Sequence, residues 1–240
     1  CITGRLVQQA GFDALYLSGA GISMSQLGAP DLGLLSFHEI VDRAKRIADV
    51  VDIPVIADGD TGFGGPLNVI RMVREFERAG ISAVQIEDQQ WPKKCGHEPG
   101  RRLVGTEEMI GRIKAAVDAR ADSDFVVIAR TDARASEGLE AALDRMSLYI
   151  DAGADVAFVE APESVGEMRR INARLADVPT MANMVEGGRT PVRPAAELQQ
   201  LGYTLAIFPN SLTRMLGKMG QELMAALKQT GSTEGMRDRM

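Results

Sequence analysis

The sequence predicts an α/β chain folded as a (β/α)8 barrel of the TIM type, forming one domain over residues 1–240. Three observations carry that prediction. Short apolar runs alternate with helix-patterned segments along the whole chain, as expected for a parallel sheet buried on both faces. The dipeptide Ala-Gly recurs at 10–11, 79–80 and 152–153, with Leu201-Gly202 a weaker copy, each time just before an apolar run. Glycine there lets a helix end in a left-handed turn before the next strand. Lastly, six of the seven apolar runs end in a polar or charged residue: Ser18, Asp58, Glu87, Arg130, Glu160 and Asn183, while the seventh ends in Phe208-Pro209. A doubly wound sheet gathers ligand residues at one switch point. A barrel points every strand end into one site, and the chain follows that pattern.

Taken in order, Ile2 to Ala10 reads as a helix closed by Gly11, followed by strand 14–18. Helix 37–51 leads to strand 53–58, and the amphipathic helix 66–79 to strand 83–87. Helix 106–121, strand 125–130, helix 137–152 and strand 155–160 follow, then helix 165–175 and strand 179–183. A helix near 195–200, strand 203–208 and a final helix 212–228 complete the pattern. Apolar periodicity and Gly/Pro punctuation set these spans. Only seven strands are visible and the chain opens in a helix, so the first strand of the barrel is expected to precede Cys1.

Composition narrows the function classes. With 45% hydrophobic residues the chain can build a sizeable core, and 25% charged residues at net charge −6 are ordinary for a soluble protein. The balance carries no basic footprint for nucleic acid or an anionic membrane surface. No apolar run approaches the ~20 residues of a membrane span. Cys1 and Cys95 are the only cysteines, which excludes a disulfide framework and points to the cytoplasm.

Two stretches carry chemistry. In Trp91-Pro92-Lys93-Lys94-Cys95-Gly96-His97, just past the strand ending at Glu87-Asp88, a thiol sits between two lysines and a histidine. Neighbouring cations favour the thiolate and bring its pKa toward neutrality, where the group can give or take a proton. A solvated basic loop with an incidental cysteine is the plain alternative. In Asp58-Gly59-Asp60-Thr61-Gly62-Phe63-Gly64-Gly65, two carboxylates at i and i+2 stand at a strand end within a glycine-rich turn. Together with Glu87 or Asp88 they form an all-oxygen set suited to Mg²⁺ or Mn²⁺ rather than zinc. The competing reading is a turn that uses Asp and Gly for backbone reasons. No Walker or dinucleotide fingerprint is present. Ser18-Gly19-Ala20-Gly21 is either a loop whose N–H groups cradle a carboxylate or phosphate, or a tight turn. Arg130 ends a strongly apolar strand, where an unpaired guanidinium is costly, so it is expected to meet Glu160 or the substrate. Arg214, in the first turn of the last helix, opposes the helix dipole and favours a ligand role. His38 reads as a surface residue.

These blocks, in this order, resemble the isocitrate lyase and phosphoenolpyruvate mutase superfamily. Lys93-Lys-Cys-Gly-His97 resembles its hallmark loop. Asp58-Gly-Asp-Thr-Gly-Phe-Gly64, Glu87-Asp-Gln89, Ile128-Ala-Arg-Thr-Asp-Ala133, Phe158-Val-Glu-Ala161 and Ala182-Asn-Met-Val-Glu-Gly-Gly188 are similar to its other blocks. The resemblance spans essentially the whole chain. It implies a Mg²⁺-dependent barrel enzyme, usually a homotetramer whose last helix is swapped between subunits. It also implies that Ser18, Gly19 and Ala20 hold a pyruvyl-type carboxylate, and that Asp58 and Asp60 bind the metal with Glu87 and Asp31 acting partly through water. Cys95 is the implied acid or base, supported by Lys94, Gly96 and His97. Arg130, Glu160, Asn183 and Arg214 are the implied substrate contacts. Family members also continue past Met240.

Within the superfamily, the Lys-Cys-Gly-His loop resembles the lyase branch. Asn183-Met-Val-Glu-Gly-Gly188 resembles 2,3-dimethylmalate lyases, petal-death-type lyases and carboxyphosphonoenolpyruvate mutases, and differs from the Asn-Ile-Thr-Glu-Phe-Gly of 2-methylisocitrate lyases. The expected activity is retro-aldol cleavage of a 2-hydroxy di- or tricarboxylate, of 2-methylisocitrate or 2-alkylmalate type, to a 2-oxo acid such as pyruvate plus a carboxylate. A carboxyphosphonoenolpyruvate mutase and an oxaloacetate hydrolase or decarboxylase are the enzymatic alternatives. A non-catalytic oxo-acid-binding barrel is the outside one.

Overall fold

The computed structural model describes residues 1–96 and 100–240. Strands β1 (Leu15–Leu17), β2 (Val55–Asp58), β3 (Ala83–Glu87), β4 (Val126–Thr131) and β5 (Val156–Val159) form a parallel sheet in chain order. β6 (Met181–Asn183) pairs in parallel with β7 (Leu205–Ile207), and a parallel bridge between Ala157 and Thr180 joins the two sheets. Among the described residues β1 and β7 share no ladder.

Side-chain packing shows how the strands curl. One buried cluster takes Tyr16 from β1, Ile56 from β2, Ala83 from β3, Ile128 from β4, Phe158 from β5, Met181 from β6 and Ile207 from β7. Strands from both ends of the order touch one interior only if the sheet wraps around it, as in a barrel. The alternate residues of β2 to β5, such as Ala57, Val84, Val127 and Ala157, face outward into the larger core beneath the helices. Both faces are apolar because both are covered.

The helices follow from local chemistry. α1 (Ile2–Gln9) precedes β1. Ser18 caps α2 (Gly19–Ile22) by accepting from the Gly21 N–H, and a π-helical turn Ser23–Leu27 continues it. The stretch read as a loop is therefore a helix N-terminus, because the Ser18 side chain supplies the cap. Ser36 and Glu39 form a capping box on α3 (Phe37–Ala48), which buries Ile40, Ala44 and Ile47. α4 (Pro66–Arg78) starts with proline in its first turn and buries Val69, Met72, Val73 and Phe76. α5 is Thr106–Ala119. The helix expected over 137–152 is α7 (Leu139–Asp151), and Gly138 (φ 91°) separates it from a preceding one-turn helix, α6 (Arg134–Glu137). α8 (Val165–Arg174) is capped by Ser164, and α9 (Ala195–Gln200) precedes β7. α10 (Ser211–Thr230) buries none of its residues and exposes Met215, Leu216, Met224 and Leu227. Among the described residues no helix is long and apolar enough to cross a membrane.

The repeated glycines do what their positions suggest. Gly11, Gly80, Gly153 and Gly202 have φ of 81°, 80°, 105° and 102°, each between a helix and a strand. Gly59 is constrained differently: a Cβ there would lie 2.7 Å from the Gln85 carbonyl oxygen, where the Gly59 N–H donates to β3 at 2.8 Å. Replacing Gly59 by alanine is expected to cost about 1–3 kcal/mol by forcing β2 from β3. Gly111, inside α5 with nothing within 4 Å of an added Cβ, should gain about 0.5–1 kcal/mol on the same change. Urea unfolding midpoints that do not shift in opposite directions would contradict this placement.

Candidate active site

The C-terminal strand ends converge on buried charge. Asp58, Asp60, Glu87, Asp88, Asp132 and Glu160 are all buried. Asp58 Oδ2 accepts from the Gly19 N–H at 3.1 Å, and its Oδ1 accepts from the Asp60 N–H at 3.2 Å and from Gln85 Nε2 at 3.4 Å. Gln85 in turn accepts from the Tyr16 hydroxyl at 2.7 Å. Burial, with Asp58 nearby, keeps that phenol protonated by raising its pKa well above the usual tyrosine value. The turn after β2 is held in an unusual backbone, with Asp60 at φ 47° and Phe63 at φ 58°. Non-glycine residues persist there only where the surrounding structure over-determines them.

Burial raises the Asp60 carboxyl to about 7, against the pull of Lys93, and Asp58 and Asp31 add to the rise. Burial likewise lifts Glu87 well above the usual carboxylate range, against Arg130, with Asp132 and Asp58 adding. Glu87 Oε1 is buried with no hydrogen-bond donor. Asp60 Oδ1 lies 2.7 Å from Lys93 Nζ as an ion pair but without hydrogen-bond geometry. The protein's own cations leave negative charge unneutralised here, and the donors are all oxygen, so the residues fit a hard divalent cation. Among the described residues, no three acidic, His or Cys side chains stand in direct-ligand geometry. Asp88, the alternative to Glu87, faces away: it accepts from Thr131 Oγ1 at 2.7 Å, the Asp132 N–H at 2.9 Å and the Tyr149 hydroxyl at 2.9 Å.

The cysteine loop is arranged differently from its sequence reading. Lys93, rather than Lys94, is the buried lysine, and its ammonium meets Asp31 at 2.5 Å as well as Asp60. Burial alone would lower its pKa, but Asp60, Asp58, Glu87 and Asp31 outweigh burial and hold it well above the usual lysine value. Its charge is thus committed to carboxylates rather than to the thiol. Asp31 meets the site through this lysine. Lys94 is clamped by its backbone: its N–H donates to Gln89 Oε1 and its carbonyl accepts from Gln89 Nε2, both at 3.0 Å. Its ammonium lies by Gly100, 3.4 Å from where a Cβ on that glycine would stand. Cys95 is half-buried and not in a disulfide. Gly96 is buried so tightly that a Cβ would stand 2.3 Å from Arg130 Nη2 and 2.9 Å from Glu160 Cγ and Cδ. The loop therefore docks on the ends of β4 and β5, next to Cys95. His97 lies outside the described residues.

Arg130 meets Glu160, as its sequence context predicts, and holds a further carboxylate more tightly. Its tight partner is Asp132, with Nε to Oδ2 and Nη2 to Oδ1 both at 3.0 Å. Glu87 and Glu160 stand at 3.4 Å, and the guanidinium lies 5.2 Å from the Phe158 ring centroid. Asn183 Nδ2 donates to Glu160 Oε2 at 3.1 Å, while Asn183 Oδ1 is buried without a donor. Ser18 and Gly19 border the carboxylates, but the Gly19 and Gly21 N–H groups already serve Asp58 and Ser18. Ala20 is partly exposed beside them. Arg214 stays half exposed and donates to the Glu186 carbonyl at 2.6 Å, so Glu186 answers its helix-dipole misfit. His38 is exposed, as its sequence context suggests. Tyr16 and Gln85 carry no motif, and Asp132 stood in the block Ile128–Ala133 without an assigned role. Their one sequence signal is a polar side chain inside an apolar strand or directly after one.

Comparison with known proteins identifies the family. A family model described as phosphoenolpyruvate phosphomutase matches residues 1–228. 2,3-Dimethylmalate lyase of Eubacterium barkeri is 50% identical over all of this chain and 82% of its own length. 2-Methylisocitrate lyase of Salmonella typhimurium is 44% identical over 98% of this chain and 80% of its own. A crystal structure of 2,3-dimethylmalate lyase, a member of the PEP mutase/isocitrate lyase superfamily, superposes with TM-score 0.93 at 42% identity, covering 97% of this chain and 78% of that one. Phosphonopyruvate hydrolase complexed with oxalate and Mg²⁺ superposes with TM-score 0.86 at 30% identity, covering 100% and 83%. The chain belongs to the phosphoenolpyruvate phosphomutase family, within the PEP mutase/isocitrate lyase superfamily and on its carbon–carbon lyase branch.

Proposed function

We propose that this protein is a divalent-cation-dependent carbon–carbon lyase. Its substrate is a 2-hydroxy di- or tricarboxylate of 2-alkylmalate or 2-methylisocitrate type, cleaved to a 2-oxo acid such as pyruvate and a carboxylate. The observation that carries the reading is the docking of Gly96, next in sequence to Cys95, on Arg130 and Glu160, with Arg130 itself 3.4 Å from the buried Glu87. The 50% identity to a 2,3-dimethylmalate lyase supports the substrate class.

In this reading Asp58 and Asp60 hold the cation, Mg²⁺ or Mn²⁺, with Glu87 and Asp31 completing the shell. When bound, such an ion acidifies the substrate hydroxyl and polarises the forming carbonyl. The residues of the chain do the rest. Arg130, Asn183, Ser18, Gly19 and Ala20 orient the oxo-acid half of the substrate, and Arg214 receives a distal carboxylate. A base takes the hydroxyl proton. The C2–C3 bond breaks, its electron pair passes to the departing carboxylate fragment as an enediolate-like carbanion, and the Cys95 thiol protonates that carbon. Lys94 and His97 support the thiol, and the docked Gly96 keeps bulk water from it. The exposed apolar face of α10 is the surface on which further copies pack in a homotetramer, and the cytoplasm is the compartment.

Pyruvate release across 2,3-dimethylmalate, other 2-alkylmalates, 2-methylisocitrate, isocitrate and oxaloacetate tests the substrate class. Turnover of none of the hydroxy acids would reject it.

Three further outcomes follow from the site. Mg²⁺ or Mn²⁺ should raise the melting temperature and restore EDTA-abolished turnover, since a ligand at 100 times its Kd stabilises by about 2.7 kcal/mol. In Asp58→Asn the thermal shift should vanish, and full activity after rigorous chelation would reject the cation. Cys95→Ser should lower kcat by about 10²–10⁴-fold, because serine keeps the shape but is a much weaker acid. Calorimetric binding of oxalate should survive that change, and a near-normal kcat would make the loop structural. Gly96→Ala should cost about 10²-fold in kcat/KM by lifting the loop from Arg130. Wild-type kinetics in that variant would show that docking is dispensable.

A further inference from the structure

Asp132 stands at a junction that the proposed reaction leaves without a role. It follows β4, is 1% exposed, and holds Arg130 with two hydrogen bonds at 3.0 Å. The same carboxylate faces a second guanidinium. Arg101 Nη1 lies 3.5 Å from Asp132 Oδ1, with a side chain 4% exposed, and among the described residues Nη1 has no hydrogen-bond acceptor. Arg101 opens the chain segment that leaves the cysteine loop. That segment is stitched back by the Gln90 N–H to the Arg102 carbonyl at 2.7 Å and by the Val104 N–H to the Asp88 carbonyl at 2.9 Å.

Behind Asp132 the structure is rigid. Its backbone N–H donates to Asp88 Oδ1 at 2.9 Å, and Asp88 also receives the Tyr149 hydroxyl and the Thr131 hydroxyl. Arg145 from α7 lies 3.7 Å from Asp88 Oδ2, donates to the Val104 carbonyl at 3.1 Å, and is itself held by Glu137. One carboxylate anchored to α7 thus meets both the arginine of the substrate pocket and the arginine that roots the cysteine loop.

We infer that Asp132 is a positioning residue that fixes Arg130 and, through Arg101, anchors the returning arm of the cysteine loop. A bidentate carboxylate sets the plane of a guanidinium, which a single ion pair does not. Arg101 has no such geometry, so its attachment is Coulombic, in a place where water does not screen it. Loss of either link should misplace the thiol relative to the pocket without removing a group that touches substrate. The inference rests on the proposed function only in taking Arg130 as a substrate contact.

The test compares Arg101→Met, Arg101→Lys, Asp132→Asn and the Arg101→Met/Asp132→Asn double variant with the wild type. Turnover is measured on the best substrate of the panel, and hydrogen exchange by mass spectrometry over residues 88–104. Arg101→Met should lower kcat about tenfold and speed exchange in that segment, with the global melting temperature unchanged, and Arg101→Lys should recover most of both losses. Asp132→Asn should lower kcat about 10–100-fold, the range for a displaced reacting group. The double variant should lose no more than Asp132→Asn alone, because both changes cut one connection. Additive losses, or wild-type kcat and exchange in Arg101→Met, would overturn the inference. If Asp132→Asn does not fold, the two Arg101 variants decide. A wild type inactive on every substrate would reject the proposed function, while the exchange arm would still decide whether Arg101 anchors the loop.

Discussion

Asp58, Asp60, Glu87, Asp88, Asp132 and Glu160 are buried together at one end of a parallel sheet, and the rest of the site answers to that burial. A carboxylate out of water is tolerated only with counter-charge or strong hydrogen bonds. The chain supplies both, unevenly. Asp132 has Arg130 in bidentate contact, and Asp88 has two hydroxyls and a backbone N–H. Among the described residues, Asp60 and Glu87 are left with an oxygen each that lacks a donor. The deficit is local, so a cation would be drawn to the ends of β2 and β3 and not elsewhere on the rim.

The same electrostatics organises the loops. Lys93 reaches in to Asp60 and Asp31, and so ties the cysteine loop to the segment after α2. Trp91 closes over Gly33, where a Cβ would meet its ring at 2.7 Å. Gly96 comes down on Arg130 and Glu160. Each contact needs a small residue or a buried charge at one position, so the loop is specified by a few residues rather than by a broad apolar face. An arrangement of this kind can be firm when closed and still open at modest cost, since it buries little apolar surface.

Much of the architecture was legible in the sequence. The alternation of apolar runs and helical segments, and the Ala-Gly repeats whose glycines take φ of 80° to 105°, are local features that decide strand and helix without reference to the rest of the chain. Asp58, Asp60, Glu87, Arg130, Glu160 and Asn183 could be named because a barrel turns a strand's last residue into a site residue by topology alone. Ser18 was named too, but its part in capping a helix, instead of ending a loop, depended on Gly21 lying three residues on in helical backbone. The one-turn helix Arg134–Glu137 ahead of Gly138 was likewise settled by backbone that periodicity does not register.

What the sequence determined was the inventory: seven short strands in order, carboxylates at their ends, a thiol flanked by cations, and membership in a lyase branch. Only the tertiary structure decided the pairings. It gave Arg130 Asp132 as its closest partner in addition to Glu160, turned Lys93 rather than Lys94 into the carboxylate cluster, set Asp88 against Tyr149, and closed Arg214 onto Glu186. The physical reason is range. Strand, turn and cap preferences act within a few residues, whereas Lys93 meets Asp31 across 62 positions and Tyr149 meets Asp88 across 61. Which opposite charges meet in a low-dielectric interior depends on where the folded backbone brings them, and no local pattern encodes that.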